Sequence, residues 1–298
     1  MVKRIARSLV AYSIHGHVNP GGEGEAVVDY GALFESIERL GSESLRARVS
    51  GDVVAISRVE RTDGLLAMLF VAGSEGELPL VYDPSTASAE EVDPGGGRFV
   101  VNGVWGFFDP EERYLVMEKR RPGVAIYQIE RLLTGIARRA VGDKTAVLSL
   151  NPVPAPSFVR EVQRFTRIRE ASITMRRPNH SWTDDAIELL AHVGDSNAAQ
   201  VQVQLNADRG QSLSKSDGIV RDVMRVAQHP VGPLQNATVR GTFPDQEGER
   251  AVSLRRHIVT GTTRVDGDVA VEQRAQGLAG GVRRLFERLA RLGVSEED

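Results

Sequence analysis

The chain has 298 residues, a net charge of −3, ordinary apolar and charged fractions of 41% and 26%, and no cysteine. That length buries a sizeable core and suits two lobes, while the absence of thiols excludes disulfides, zinc-thiolate sites, thiol nucleophiles and iron–sulfur clusters. No apolar run approaches the ~20 residues that span a bilayer, and the N-terminal MVKRIARSLVAYSIHGHV lacks a small-residue cleavage signal, so a cytoplasmic protein is expected.

The pattern predicts a first strand near Arg4–Ile14, a Gly-rich loop around residues 20–24, and a helix over Tyr30–Leu40 with Leu33, Ile37 and Leu40 on one face. Leu45–Glu60 and Leu65–Val71 read as antiparallel strands, Asp83–Gly97 as an exposed loop, and Arg98–Phe108 with Arg113–Arg121 as a hairpin across Asp109-Pro110-Glu111-Glu112. Ile126–Ala140 is a helix with Ile126, Ile129, Leu133 and Ile136 inward and Arg131 and Arg138 on the opposite face.

The segment Lys144–Asn179 predicts strand, loop, helix and strand. Thr145–Leu150 is a short apolar run, and Pro152, Pro154 and Pro156 hold the link extended. Ser157 is placed to cap a helix whose Phe158, Val162 and Phe165 share one face, with Arg160, Arg164 and Arg167 on the other. A second strand, Ala171–Met175, runs into Arg176 and Arg177. Beyond it come a short helix over Thr183–His192, a strand over Ala199–Leu205, and an amphipathic Ser212–Gln228. Gln235–Phe243 and Arg250–Thr260 read as paired strands. A C-terminal helix carries Leu278, Val282, Leu285, Leu289 and Leu292, suited either to docking on its own domain or to a dimer contact. Together these elements predict an α+β fold with mixed or antiparallel sheets and packed helices. Its two lobes are an acidic β-rich one over residues 1–143, ending in a basic helix, and an α/β one over residues 144–298.

Charge is distributed unevenly: residues 119–177 hold 13 Lys and Arg against 4 Asp and Glu, within a chain whose totals are 37 and 40. Of the 37 basic residues 33 are arginine, which a GC-rich genome explains as a residue type but not as a cluster. Catalytic motifs are mostly missing. No Lys follows a Gly, so no phosphate-binding P-loop exists, and there is neither a GxSxG elbow nor a dinucleotide fingerprint. None of the four lysines has an acid two residues before it, so the common nuclease pattern is also missing.

His15 and His17 would project to one side of a strand and could share a metal in a hydrolase or nuclease. Without further ligands in a matching pattern, they read instead as a polar strand end. His180, His192, His229 and His257 form no such pattern, and neither do the neighbours Asp184 and Asp185.

Guanidinium groups bind phosphates bidentately, without reading sequence and with strong salt dependence. Lys119, Arg120, Arg121, Lys144, Arg160, Arg164, Arg167, Arg176 and Arg177 have few local acids, and basic strand positions recur at Arg240, Arg255 and Arg256. These residues form the expected DNA interface. No helix-turn-helix, zinc-finger or RNA-recognition signature accompanies them, so sequence-tolerant duplex binding is expected.

The strands Asn236–Gly241 and Arg250–His257, following a basic helix–strand unit, resemble the RexA proteins of temperate phages, with Arg240 in the place of that family's strand arginine and Thr242 where a lysine is expected. The resemblance implies a homodimeric DNA-binding protein, related in fold to the recombination-associated protein RdgC and acting in superinfection exclusion with a membrane partner. The segment SITMRRPN equally resembles an uncharacterised family of bacterial abortive-infection loci. The expectation is a non-catalytic, homodimeric duplex-DNA-binding protein without a cofactor. The alternatives are the metal-dependent enzyme and a protein-interaction module whose basic face meets an acidic partner.

Overall fold

The structure is a computed structural model describing residues 3–20, 23–62, 64–76, 78–176, 200–229, 232–244, 246–267 and 269–294. Its strands in chain order are β1 (Arg4–Val18), β2 (Ala26–Val27), β3 (Arg46–Val49), β4 (Asp52–Thr62), β5 (Leu65–Ser74), β6 (Leu80–Asp83), β7 (Ser88–Glu91) and β8 (Asn102–Asp109). They continue with β9 (Tyr114–Lys119), β10 (Val147–Pro152), β11 (Arg167–Arg176), β12 (Gln200–Asn206), β13 (Leu234–Thr242), β14 (Glu249–Ser253) and β15 (Thr260–Asp266). The helices are α1 (Tyr30–Arg39), α2 (Ile126–Val141), α3 (Pro156–Gln163), α4 (Gly218–Val226) and α5 (Arg274–Val294).

Every described strand pairing is antiparallel, and the fold is α+β. A nine-stranded sheet runs β10-β1-β9-β8-β5-β4-β3, with β15 and β2 also on β1, and curls into a half-barrel. A second sheet runs β12-β11-β13-β14, and β6 with β7 forms a separate hairpin.

β1 organises the large sheet because it is 15 residues long. A single short strand cannot cover such an edge, so two share it end to end. β15 pairs with Arg4–Val10 and β10 with Tyr12–His17, while β9 takes the other side. The sheets therefore do not divide at residue 143. β10, β15 and α5 complete the large sheet, and the small sheet is built from residues 167–253. The predicted strand–helix–strand unit exists, but its strands lie in different sheets, β10 in the large one and β11 in the small.

One face of the large sheet packs on α1 and α2 through Leu33, Ile37, Ile129, Leu133 and Ile136, and the other on α5. Leu278, Val282, Leu285 and Leu289, the expected helical stripe, are buried on the chain's own sheet. In the small sheet the strand period of two sends Ala171, Ile173 and Met175 inward onto α3 and α4, and Ser172, Thr174 and Arg176 to the opposite face.

α2 stoppers the half-barrel between its edge strands. Gln128 accepts from Ala125 N at 3.0 Å and donates to Asp52 at 2.7 Å, and Ser74 donates to the same carboxylate at 2.6 Å. On the other side Thr134 Oγ1 accepts from Leu148 N at 3.1 Å and Arg138 Nε donates to Ala146 O at 2.8 Å, satisfying edge groups of β10. The helix stops at Gly142, whose φ of 72° is the left-handed C-cap conformation that glycine adopts without strain.

Local differences from the expected elements arise at turns. Leu45–Glu60 is not one strand: Ser50 and Gly51 take φ of 54° and 94° and reverse the chain between β3 and β4. The turn and second strand of the hairpin β6–β7 fall within the expected loop Asp83–Gly97. Ser157 does not cap α3, which begins with Ala155 as N-cap and Pro156 in the first turn. The helix expected over Thr183–His192, with Asp184 and Asp185, lies outside the described residues, as do His180 and His192.

Candidate nucleic-acid interface

The interface is built around α3. Phe158 and Val162 anchor it in the small-sheet core, which leaves Arg160 and Arg164 exposed. Ser157 and His257 hydrogen-bond through Oγ and Nδ1 at 3.2 Å, tying α3 to a 3₁₀ turn, Leu254–Arg256, that closes β14. The tie sets the turn that carries Arg255 and Arg256 against the first turn of α3, and Arg160 and Arg164 follow about one and two turns further along the helix, all four exposed. Among the described residues Arg160, Arg255 and Arg256 make no ion pair. Arg164 donates to both carboxylate oxygens of Glu161 at 2.9 Å, and its guanidinium sits 5.4 Å from the centre of the Phe243 ring. Lys215 adds a cation by donating from Nζ to Gln163 O at 2.8 Å. Arg167 opens β11, since α3 ends at Gln163, and its Nε donates to Gln211 O at 3.1 Å.

The other expected interface residues lie elsewhere. Lys119 ends β9 and Arg120 and Arg121 follow it, beside a buried cluster in which Glu118 lies 3.5 Å from Arg7 and 3.9 Å from Arg274. Burial pushes the Arg274 guanidinium below its ordinary value; Glu118 opposes that, and Arg7 and Arg120 add repulsion. Lys144 is exposed in the turn between α2 and β10. Arg240 stands on the outward face of the small sheet with Nε 3.6 Å from Glu170.

Arg176 is half-buried and engaged. It donates to Glu130 of α2 through Nη1. With the Gln235 amide oxygen turned toward the guanidinium, it also donates through Nη2 and Nε at 2.9 Å each. Burial lowers its pKa. Arg177 lies outside the described residues.

His15 and His17 do project to one face of β1, as the i, i+2 spacing requires, but both are buried. His15 Nε2 meets Ser13 Oγ at 3.0 Å, and His17 Nδ1 meets Glu25 at 3.1 Å. With Ser149, Arg176, Gln200 and Glu130 they line a cavity of about 280 Å³ where the two sheets meet. Among the described residues no group of three or more His, Asp or Glu is arranged to hold a metal ion. The Ser157–His257 tie was not legible beforehand, because its partners are 100 residues apart and neither carries a local motif.

Fold and site together define an antiparallel α+β protein with a nine-stranded and a four-stranded sheet, a separate two-stranded hairpin, and exposed arginines beside the four-stranded sheet. Residues 107–253, from within β8 to the end of β14, are similar to a family described as a domain of unknown function, DUF4747. The match takes in α2, α3 and the whole small sheet, and omits β1, β15 and α5. No curated protein matches the chain. Among the described residues no helix is long and apolar enough to cross a membrane.

Proposed function

We propose that the protein binds double-stranded DNA without strong sequence preference, through the arginine face formed by α3 and the turn Leu254–Arg256. The observation that carries this reading is the Ser157–His257 tie, which sets the Arg255–Arg256 turn against the helix that carries Arg160 and Arg164, with Arg160, Arg255 and Arg256 making no ion pair among the described residues. Solvated arginines ordinarily mix with acids. Exposed guanidinium groups along a helix and the turn tied to its start are suited to phosphates, which they contact bidentately.

The sequence carries no helix-turn-helix, zinc-finger or RNA-recognition signature, which favours contacts to backbone. The resemblance stated above supports a homodimer acting in phage superinfection exclusion or abortive infection, with a possible membrane-protein partner; that role rests on the resemblance alone. The alternative at His15 and His17 is less favoured, because both imidazoles are buried and engaged with Ser13 and Glu25.

A salt-titrated gel shift with duplex DNA, single-stranded DNA and RNA, with and without EDTA, tests the proposal. Unrelated duplexes should bind within a few-fold of one another and lose affinity steeply with salt. Duplex affinity independent of salt, or one strongly preferred sequence, would defeat it.

A further inference from the structure

Above α2 runs a trough of about 630 Å³, walled by Ala47–Ser50 on one side and Val147–Leu148 on the other. Its floor is the outward stripe of the helix: Tyr127, Glu130, Arg131, Thr134, Gly135 and Arg138, spaced at three and four residues. Thr134 and Gly135 keep the middle low, and Arg48 and Arg176 stand at the rims.

Charge in the trough favours an anion. Its carboxylate, Glu130, is committed to Arg176, and Arg48 is committed to Glu75 outside it. Arg138 uses Nε on Ala146 O, and no hydrogen bond or ion pair of its terminal nitrogens is described. Arg131 is exposed and makes no ion pair or hydrogen bond among the described residues. Seven residues of helix separate Arg131 from Arg138, roughly 10 Å along the axis at 1.5 Å per residue. That span exceeds one phosphate and suits a chain of two or three. One turn before Arg131, Tyr127 presents a ring that is 48% exposed, a surface on which a heterocyclic base can stack.

The geometry points to a binding site for a nucleoside di- or triphosphate, with the phosphate chain over Arg131 and Arg138 and the base against Tyr127. This site is separate from the α3 face and does not depend on the DNA-binding proposal.

Isothermal titration calorimetry on the full chain tests it, using ATP, GTP, AMP, tripolyphosphate and adenosine as probes. The triphosphates should bind one per chain, AMP about tenfold more weakly, and adenosine without measurable heat, because charge-assisted contacts to the chain carry most of the affinity. Tyr127→Ala should weaken ATP about fivefold and leave tripolyphosphate unchanged, which separates base stacking from phosphate capture.

Arg131→Glu should weaken both ligands about tenfold or more. Gly135→Glu is the second blocking variant. An added Cβ there meets only the Arg139 guanidinium, at 3.6 and 4.0 Å, and glycine is the poorer helix former. It should therefore fold normally while placing a carboxylate in the trough. The inference is overturned if ATP gives no heat, if adenosine binds as well as ATP, or if Arg131→Glu and Gly135→Glu leave ATP binding unchanged. Loss of duplex rather than nucleotide binding in those variants would also overturn it and make the trough part of the duplex surface.

Discussion

The variant Arg160→Ala/Arg255→Ala/Arg256→Ala separates phosphate contact from structural support. The three side chains are exposed and form no ion pair among the described residues, so their truncation opens no cavity and strands no partner charge there. Each exposed substitution should stay within about 0.5 kcal/mol of wild-type stability. If each arginine neutralises one phosphate, each contributes about 0.9 to the slope of log affinity against log salt, and the variant loses about 2.7. A fourfold rise in salt, from about 50 to 200 mM, then costs the wild type about 40-fold more affinity than it costs the variant. Fluorescence anisotropy with a labelled duplex across that range reads both slopes, and circular dichroism melts verify folding. A well-folded variant with the wild-type slope would refute the interface. A variant that melts far earlier would show that the arginines support the fold.

Glu118→Ala should cost about 3–5 kcal/mol in urea unfolding, because Glu118 is buried between Arg7 and Arg274 and its loss leaves two guanidinium groups without their shared counter-charge. An unchanged unfolding midpoint would contradict that. Asp143 accepts from Thr145 N at 2.7 Å and Oγ1 at 2.6 Å, bonds that hold its carboxyl below the ordinary 3.8. Its stabilisation is therefore complete above 3.8 and lost as pH falls through the lower folded value. Asp143→Ala should accordingly be less stable than wild type at neutral pH and indistinguishable in strong acid; a gap that persists there would sink the assignment. Arg176→Lys keeps the charge but loses the fork that grips Gln235, and should cost about 1–3 kcal/mol while leaving duplex affinity unchanged. A selective loss of DNA binding in a stable Arg176→Lys protein would return that residue to the interface.

The elements that sequence made legible are those whose period is strong and whose ends are marked. Ile129, Leu133 and Ile136 announced α2, and Gly142 ended it where the left-handed conformation is needed. The leucine stripe of α5 was visible too, although periodicity alone could not say whether it met its own sheet or a second chain. Strand partners were not legible. β10 and β11 flank one helix and join different sheets, a choice made by the long edge of β1, whose partners come from residues 147–152 and 260–266. The β3–β4 turn was missed because Ser50-Gly51 interrupts an otherwise continuous strand-like run, and the side chains give little warning that both residues take positive φ. At the candidate site, the exposure of Arg160 and Arg164 followed from helical phase. Their union with Arg255 and Arg256 depends on a contact between distant segments.

A local excess of charge, once folded, can be spent inward or left outward, and the basic stretch from 119 to 177 does both. Arg176 follows the alternation of β11 and emerges on the face that meets α2, where Glu130 and Gln235 occupy its donors. There it pins the small sheet to the helix that closes the large one. Arg138, on that helix, ties down the edge of β10 through Ala146 O, and Arg120 sits close enough to Arg274 to repel it. Arg160 and Arg164 escape such roles because α3 is short, with one face filled by Phe158 and Val162 and no sheet above the other. Composition counts all these arginines alike. The fold distinguishes them by whether a carboxylate or carbonyl lies within reach, as Glu130 does for Arg176 and Ala146 O for Arg138, while Arg160 on α3 and Arg131 on α2 make no ion pair among the described residues.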